Sequence, residues 1–478
     1  MTEALEATAV SAGPVPRFSR TLPGLLARRA QSTPCAAAYE WQDCRGSRST
    51  VEWGELSKRA SRFSLGLMRL GVTPAARVAV FCEATQECLV AYFGALCAGA
   101  VVVPLPEAMR DVDLEHALEA SGAAYAIAGS RNVVERLRGM AQRLPNLRRT
   151  VAWGSAACAD GVLPFGQLCL NADEALTSTG SRLRVPRIRP EDPAFIVFER
   201  GLRGTVEPWT LSHGGCHFIA EALGGVLSGG ALDRLVPVAA PTGFQDGVLP
   251  ALACAASGTP TLFPDSGESL TAHIQRSRPS VVVLRASQLL PVVTEVVVKA
   301  TGSSARPRRL HPWAMRAVAE VERRRREGIR IGLIRAASAA VADAVVHSAV
   351  REHLGGRLRA VIVLGEMERA VVDLAQSVRL PVVTVWGPAA SSTVCTLGDL
   401  GSARLGSVGS AVGGSTLCVG ADGALRVTGP HRAERGIVSE GFAADSEVPW
   451  PLRCDGRLGE HGWLWVERGF RPHVVAAE

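Results

Sequence analysis

A chain of 478 residues that is 47% hydrophobic and 20% charged is too long for a single core and too apolar to be disordered, so two to four folded domains are expected. Its net charge of +7 rests almost wholly on arginine, because Lys58 and Lys299 are the only lysines, and any chemistry that needs a lysine has two candidates. The twelve cysteines are scattered without a CxxC pair or a histidine at zinc spacing, which excludes a disulfide scaffold and fits reduced thiols in a cytoplasmic protein.

Residues 1–17 begin acidic and lack a basic stretch followed by an apolar one, so they read as a flexible lead and not a secretory signal. Residues 18–185 alternate helical and strand patterns as a first α/β subdomain. Helices are predicted over Leu22 to Arg29 and Glu55 to Leu70, the second stopped by Gly71, and a strand over Arg77 to Phe81. The apolar run Leu89 to Pro106 has the length of a membrane span. Gly99 and the Val101-Val102-Val103 triplet before Pro104 divide it instead into a helix, a glycine stop and a buried strand, so no transmembrane segment is predicted. Further strands at Tyr125 to Ala128 and Arg149 to Trp153 flank a helix over Val133 to Arg143. Residues 154–190, rich in Gly, Ser, Ala and Pro, mark a boundary.

Residues 186–392 read as a second α/β subdomain, also with a mainly parallel sheet. It opens with a buried strand from Ala194, a loop holding Gly201 and Gly204, and a second strand ending at Ser212-His213. Spaced glycines let backbone N–H groups approach a phosphate, yet this loop has no lysine. A helix over Gly214 to Ser228 follows, then a strand at Arg234 to Val238 and alternating segments to Val297. Near 302–328 comes a basic insertion with Arg306, Arg308, Arg309, Arg316 and the run Arg323 to Arg326. It reads as a solvated helix face with i,i+4 pairing to its glutamates; an anionic partner or membrane surface is the alternative. Strands resume at Leu358 to Leu364 and Pro381 to Val385. Residues 393–478 turn to short strands and many glycines, read as a small β-barrel-like subdomain with Ala424 to Thr428 and Trp463 to Glu467 as its clearest strands.

The order of these segments resembles the adenylate-forming (AMP-binding) superfamily, and its long-chain acyl-CoA synthetase branch in particular. The resemblance is carried by LMRLGV and RVAVF (Leu67 to Phe81), GALCAGAVVVPLP (Gly94 to Pro106), LHPWA (Leu310 to Ala314), LGGRLRAVIVLG (Leu354 to Gly365), GSVGSAVGG (Gly406 to Gly414), ADGALRVTGP (Ala421 to Pro430) and GRLGEHGWLWV (Gly456 to Val466). It implies the family's large amino-terminal domain, an acyl or nucleotide ligand, ATP or AMP and coenzyme A as cofactors, and Mg²⁺. It does not point to nucleic acid.

The family's phosphate loop, roughly [ST]SG[ST]TGxPKG, maps onto residues 199–208. Gly201 and Gly204 match, the loop hydroxyls are largely gone, and the family's lysine falls on Glu207. A carboxylate about 4 Å from a phosphate costs roughly 4 kcal/mol at an effective dielectric of about 20, where a cation would gain as much. Arg200 and Arg203 are replacement cations, but Glu199 and Glu207 leave the loop formally neutral. The family's YGxTE maps onto Trp386-Gly387-Pro388-Ala389-Ala390. An aromatic face for adenine is kept, while Ala389 has no hydroxyl and Ala390 no oxygen for Mg²⁺, so the metal site is read as lost. Gly365 opens the stretch matching a family pocket segment, and Ser212-His213 matches its SH pair, with the histidine read as structural or pocket-lining. Asp455 matches the ribose-binding aspartate with a one-residue gap, and a turn aspartate is the equal alternative. The hinge and the carboxy-terminal lid domain, which carries a second catalytic lysine in the family, find no counterpart.

The vestigial nucleotide-site candidates are therefore Gly201, Arg203, Gly204, Trp386, Gly387 and Asp455, with Ser212, His213 and Gly365 as pocket residues and no catalytic residue assigned. The expectation is an acyl-CoA synthetase homologue degenerate for adenylation, with a binding or accessory role, alone or with a partner protein, in lipid or secondary-metabolite metabolism. The alternative is an atypical ligase whose lid comes from a separate protein.

Overall fold

A computed structural model describes residues 9–11, 21–42, 48–81, 85–170, 186–200, 206–227, 233–236, 244–263, 269–303, 329–342, 348–365, 380–387, 395–398, 407–420, 423–431, 433–437, 450–459 and 462–468, with isolated positions within 313–324 and 367–378. The first helix, Leu22–Ser32, starts where the Thr21 hydroxyl accepts the Gly24 N–H at 3.3 Å and a proline occupies the first turn. The apolar run from Leu89 divides as its glycine dictates. The helix Gln86–Cys97 ends before Gly99, which takes a φ of +72°, and the strand Val101–Pro104 is buried along its whole length.

Among the described residues the strands form two sheets. The smaller has eight strands, and its centre is parallel: Pro193–Arg200, Val101–Pro104, Arg77–Phe81, Tyr125–Ala128, Arg149–Ala152 and Val162–Pro164, in that order. Val206–Ser212 extends it antiparallel beyond Pro193–Arg200. The larger has fourteen strands around a parallel centre of Val382–Trp386, Ala360–Leu364, Val281–Arg285, Leu235–Val236, Thr261–Phe263 and Ala37–Gln42.

Successive residues of these strands are buried against alternating sides of each sheet, which builds layers. Val78, Val80, Val102, Phe195 and Val197 of the smaller sheet and Val281, Val283, Ile362 and Val383 of the larger share one core. Between them lie side chains from the helices Trp53–Arg69, Gln86–Cys97, His213–Leu227 and Leu249–Ser257. The residues in between face outward to other helices: Ala79, Phe81, Val103 and Ile196 meet the helices Asp111–Ser121 and Arg131–Met140. Val282, Leu284, Val361 and Val363 meet the helices Leu270–Ser277 and Ala286–Ser303. Strands covered on both faces need apolar residues at successive positions, which is why they read as unbroken Val/Ile/Ala runs.

The sheets do not follow the break expected at 154–190. The strand Pro193–Arg200, placed in the second subdomain by the sequence, pairs in parallel with Val101–Pro104 through Val102 and Phe195. The hairpin Ala37–Gln42 and Arg48–Glu52 crosses the other way, pairing through Tyr39 with Thr261 in the larger sheet. The ending expected to be barrel-like is, among the described residues, an open antiparallel extension of the larger sheet. It runs outward from Val382–Trp386 through Thr396–Leu397, Gly409–Ala411, Trp463–Arg468, Trp450–Leu458, Ala424–Thr428 and Thr416–Val419 to Ala9–Ser11. Asp455 lies inside the strand Trp450–Leu458, at an irregularity in its pairing with Trp463–Arg468, and is therefore no turn residue.

Candidate functional site

The hairpin of Pro193–Arg200 and Val206–Ser212 is built as its sequence suggests, with Val206 opposite Arg200 and residues 201–205 joining them. Gly201, Arg203 and Gly204 themselves lie outside the described residues. Glu207, onto which the resemblance maps the family's lysine, is partly buried and stands in backbone register opposite Glu199.

Three other candidates come together at the carboxyl ends of the parallel strands, the usual place for a ligand in an α/β sheet. Gly365 follows Ala360–Leu364, takes a φ of +97°, and donates its N–H to the Val385 carbonyl at 2.9 Å. A Cβ built there meets nothing within 4 Å, so the position borders open space. Trp386 ends the neighbouring strand Val382–Trp386, and Gly387 follows it. Trp386 is 5% exposed and belongs to the buried apolar cluster that also contains Cys395, Val408, Leu417, Leu425, Val427 and Leu464. Its aromatic face is thus committed to the core of the antiparallel extension. Ala389 and Ala390, onto which the family's threonine and Mg²⁺ ligand map, lie outside the described residues. Among the described residues no three His, Cys, Asp or Glu side chains gather as metal ligands.

Ser212 and His213 sit at the start of the helix His213–Leu227, on the core side of the smaller sheet. The Ser212 hydroxyl accepts the Gly215 N–H at 3.1 Å as a helix cap. The backbone N–H groups of His213 and Gly214 go to the carbonyls of Asp192 and Pro190. The glycine pair is needed for close approach: a Cβ on Gly214 would lie 3.1 Å from the Pro190 carbonyl, and one on Gly215 3.0 Å from the Pro430 carbonyl. His213 is 1% exposed, its Nδ1 meets no partner among the described residues, and burial pushes it down to about 3. The pair therefore builds the joint between helix and hairpin.

Sequence reasoning missed His431, which completes that joint. It is 1% exposed, stacks on Phe218 with ring centroids 5.4 Å apart, and is pushed down to about 4 by burial. The signal was present in Gly214-Gly215 and in Gly429-Pro430, since two glycine-bearing segments that each exclude a side chain are suited to abut. On the same helix, His217 Nε2 lies 2.8 Å from the Arg28 guanidinium, which reaches Glu221 at 3.3 Å and ties the first helix to this one. At the helix's other end Arg359 pairs with Asp233 at 2.9 Å and donates to the carbonyls of Val226 and Leu227, where a cation suits the helix dipole. A separate cavity of about 400 Å³ lies between Leu22–Ser32 and Trp53–Arg69, lined by Gln31, Cys35, Glu52, Glu55 and Lys58 among others, and none of the candidate residues borders it.

Comparison with known proteins agrees with this architecture. The profile of the AMP-binding enzyme family matches residues 26–434. The long-chain-fatty-acid–CoA ligase FadD15 of Mycobacterium bovis is 23% identical over 447 residues, covering 89% of this chain and 70% of that protein. Triostin synthetase I of Streptomyces triostinicus is 31% identical over 162 residues, and the match spans 34% of this chain but only 28% of that synthetase. The solved structure of the anthranilate CoA ligase AuaEII in complex with anthranoyl-AMP superposes with a TM-score of 0.67 at 15% identity, over 94% of this chain and 78% of that one. The match of the family profile over most of the chain makes this protein a member of the AMP-binding enzyme family.

Proposed function

We propose that this chain is an AMP-binding ligase homologue that has given up adenylation and acts as a binding or accessory component of lipid or secondary-metabolite metabolism. The observation that carries the reading is Glu207: a partly buried carboxylate, opposite Glu199 in register, stands at the hairpin position where the resemblance calls for a lysine. Beside a triphosphate it reverses the sign of a contact that must stabilise negative charge in the transition state. The burial of Trp386 adds support, since a residue 5% exposed within an apolar cluster offers adenine little surface to stack on. These residues fit a bound triphosphate poorly, so no catalytic step is assigned to them.

One observation favours the alternative of an atypical carboxylate-activating ligase. Gly365, left-handed and beside open space at the carboxyl edge of the parallel strands, keeps room for a small ligand. The relatives FadD15 and AuaEII are by name CoA ligases.

The two readings part in one assay. The purified chain, given ATP, Mg²⁺ and a panel of fatty and aromatic acids, is expected to show no ATP–pyrophosphate exchange above background. Robust exchange with any acid overturns the proposal in favour of the ligase. Calorimetry with ATP alone then reports whether nucleotide still binds without turnover.

A further inference from the structure

The helix Leu333–Ala342 wears its apolar side outward. At about 100° per residue, Leu333, Ala337, Val341 and Ile334 fall within one arc of about a quarter turn or slightly more. All four are exposed, Leu333 at 89% and Ile334 at 87%. In a helix exposed to water that arc belongs against a core or a partner, because removing apolar side chains from water is favourable. The surroundings repeat the pattern. Of the nine large hydrophobics exposed among the described residues, Leu290, Val298, Trp313, Ile329, Leu333, Ile334 and Val341 all lie between 286 and 342.

The charge of the same stretch is as uneven. Residues 302–342 contain ten arginines and three glutamates, an excess of seven, and the excess of the whole chain is also seven. The remaining residues are therefore balanced, and the chain's entire formal positive excess falls in the stretch of sequence that leads into and includes this helix. Arg330 and Arg335, adjacent to the face in sequence, are exposed. Arg324 pairs with Glu320 at 2.5 Å, and by count the three glutamates of the stretch can neutralise only three of its ten arginines. Among the described residues no helix is long and apolar enough to cross a membrane.

An exposed apolar arc, in a stretch of sequence with an arginine excess and with Arg330 and Arg335 exposed, matches one kind of partner by both terms, a bilayer with anionic headgroups, where apolar side chains enter the interface and guanidinium groups meet phosphates. We propose that the segment bearing Leu333–Ala342 is an interfacial membrane-docking surface that holds this protein on anionic lipid without spanning it. This goes beyond the reading of its catalytic state and stands or falls separately from it.

Flotation of the full chain with phosphatidylcholine vesicles containing roughly a third phosphatidylglycerol tests it. Binding is expected to these vesicles, to weaken at high salt, and to be far weaker on phosphatidylcholine alone. The double variant Leu333→Asp/Ile334→Asp, at positions too exposed to affect folding, should lose about tenfold or more in partition, and Arg330→Glu/Arg335→Glu about tenfold. Circular dichroism and melting temperature, unchanged in both, show that the fold is intact. No binding to the anionic vesicles at low salt overturns the proposal, as does binding that both variants retain. Self-association in sedimentation that Leu333→Asp abolishes, with no vesicle binding, would assign the face to a second copy of the chain and overturn it equally.

Discussion

The helices His213–Leu227 and Leu333–Ala342 make opposite use of small and apolar residues. The first is buried along most of its length: its glycines admit the Pro190 and Pro430 carbonyls, His431 stacks on its Phe218, and Arg28 and Arg359 hold its two ends. The second has a comparable apolar arc, with Leu333, Ile334 and Val341 turned to water. The difference separates two kinds of constraint. Around the first helix the glycines and the buried aromatic and histidine rings serve the packing that positions the hairpin, which the central core needs. Around the second, among the described residues, Leu333, Ile334 and Val341 keep the patterning while exposed, which points outside the molecule.

The largest effect should come from breaking the first region at its centre. Phe195, fully buried on the hairpin's first strand, meets Phe244 edge-on with centroids 5.0 Å apart and joins the core shared by both sheets. Phe195→Ala is expected to cost about 3–5 kcal/mol, read from the shift of the denaturant midpoint at constant slope. A cost below about 1 kcal/mol would mean that the hairpin is peripheral to folding and that the contrast between the two helices is overdrawn.

A second, smaller effect is electrostatic. His213 and His431 are fully buried and held neutral, at about 3 and about 4, while the unfolded chain titrates them near 6.5. Between those values the unfolded state binds more protons, so stability falls as pH drops below about 6.5, by up to about 1.4 kcal/mol per pH unit for each histidine. His431→Phe keeps a ring over Phe218 and removes one titration. Denaturant melts from pH 7 to pH 5 should show about half the wild-type slope. An unchanged slope would move the acid sensitivity elsewhere in the chain.

Much of this was legible in the sequence, and what was not has a physical cause. Gly99 and the valine triplet divided the run from Leu89 to Pro106 correctly because both signals are local. Which sheet a strand joins is not local: Phe195 pairs with Val102 and Tyr39 with Thr261, and apolar runs covered on both faces carry no mark of their neighbours. Asp455 was open to a turn reading because Asp-Gly is a turn signal, but here the glycine serves close packing, since a Cβ on Gly456 would lie 2.6 Å from the Trp465 carbonyl. His213 was read as structural or pocket-lining, and its burial, like the approach of Pro430 and His431 to Gly215 from far along the chain, is not written in the local sequence. For Leu333–Ala342 the apolar arc is visible in the sequence, but an arc does not say whether a core or a solvent-facing surface lies against it.

The smallest effect is the one that tests the other side of the comparison. If the arc of Leu333–Ala342 contributes nothing to the fold, Leu333→Ser and Ile334→Ser should each change stability by no more than about 0.5 kcal/mol, as polar changes at open surface positions do. The same substitutions should raise the concentration at which the protein stays soluble, because they remove an exposed apolar patch. A loss above about 1.5 kcal/mol would show that these side chains are covered in solution by another part of the chain. In that case the face would be part of the core after all, its apolar arc would need no external partner, and the two helices would differ only in how their packing is completed.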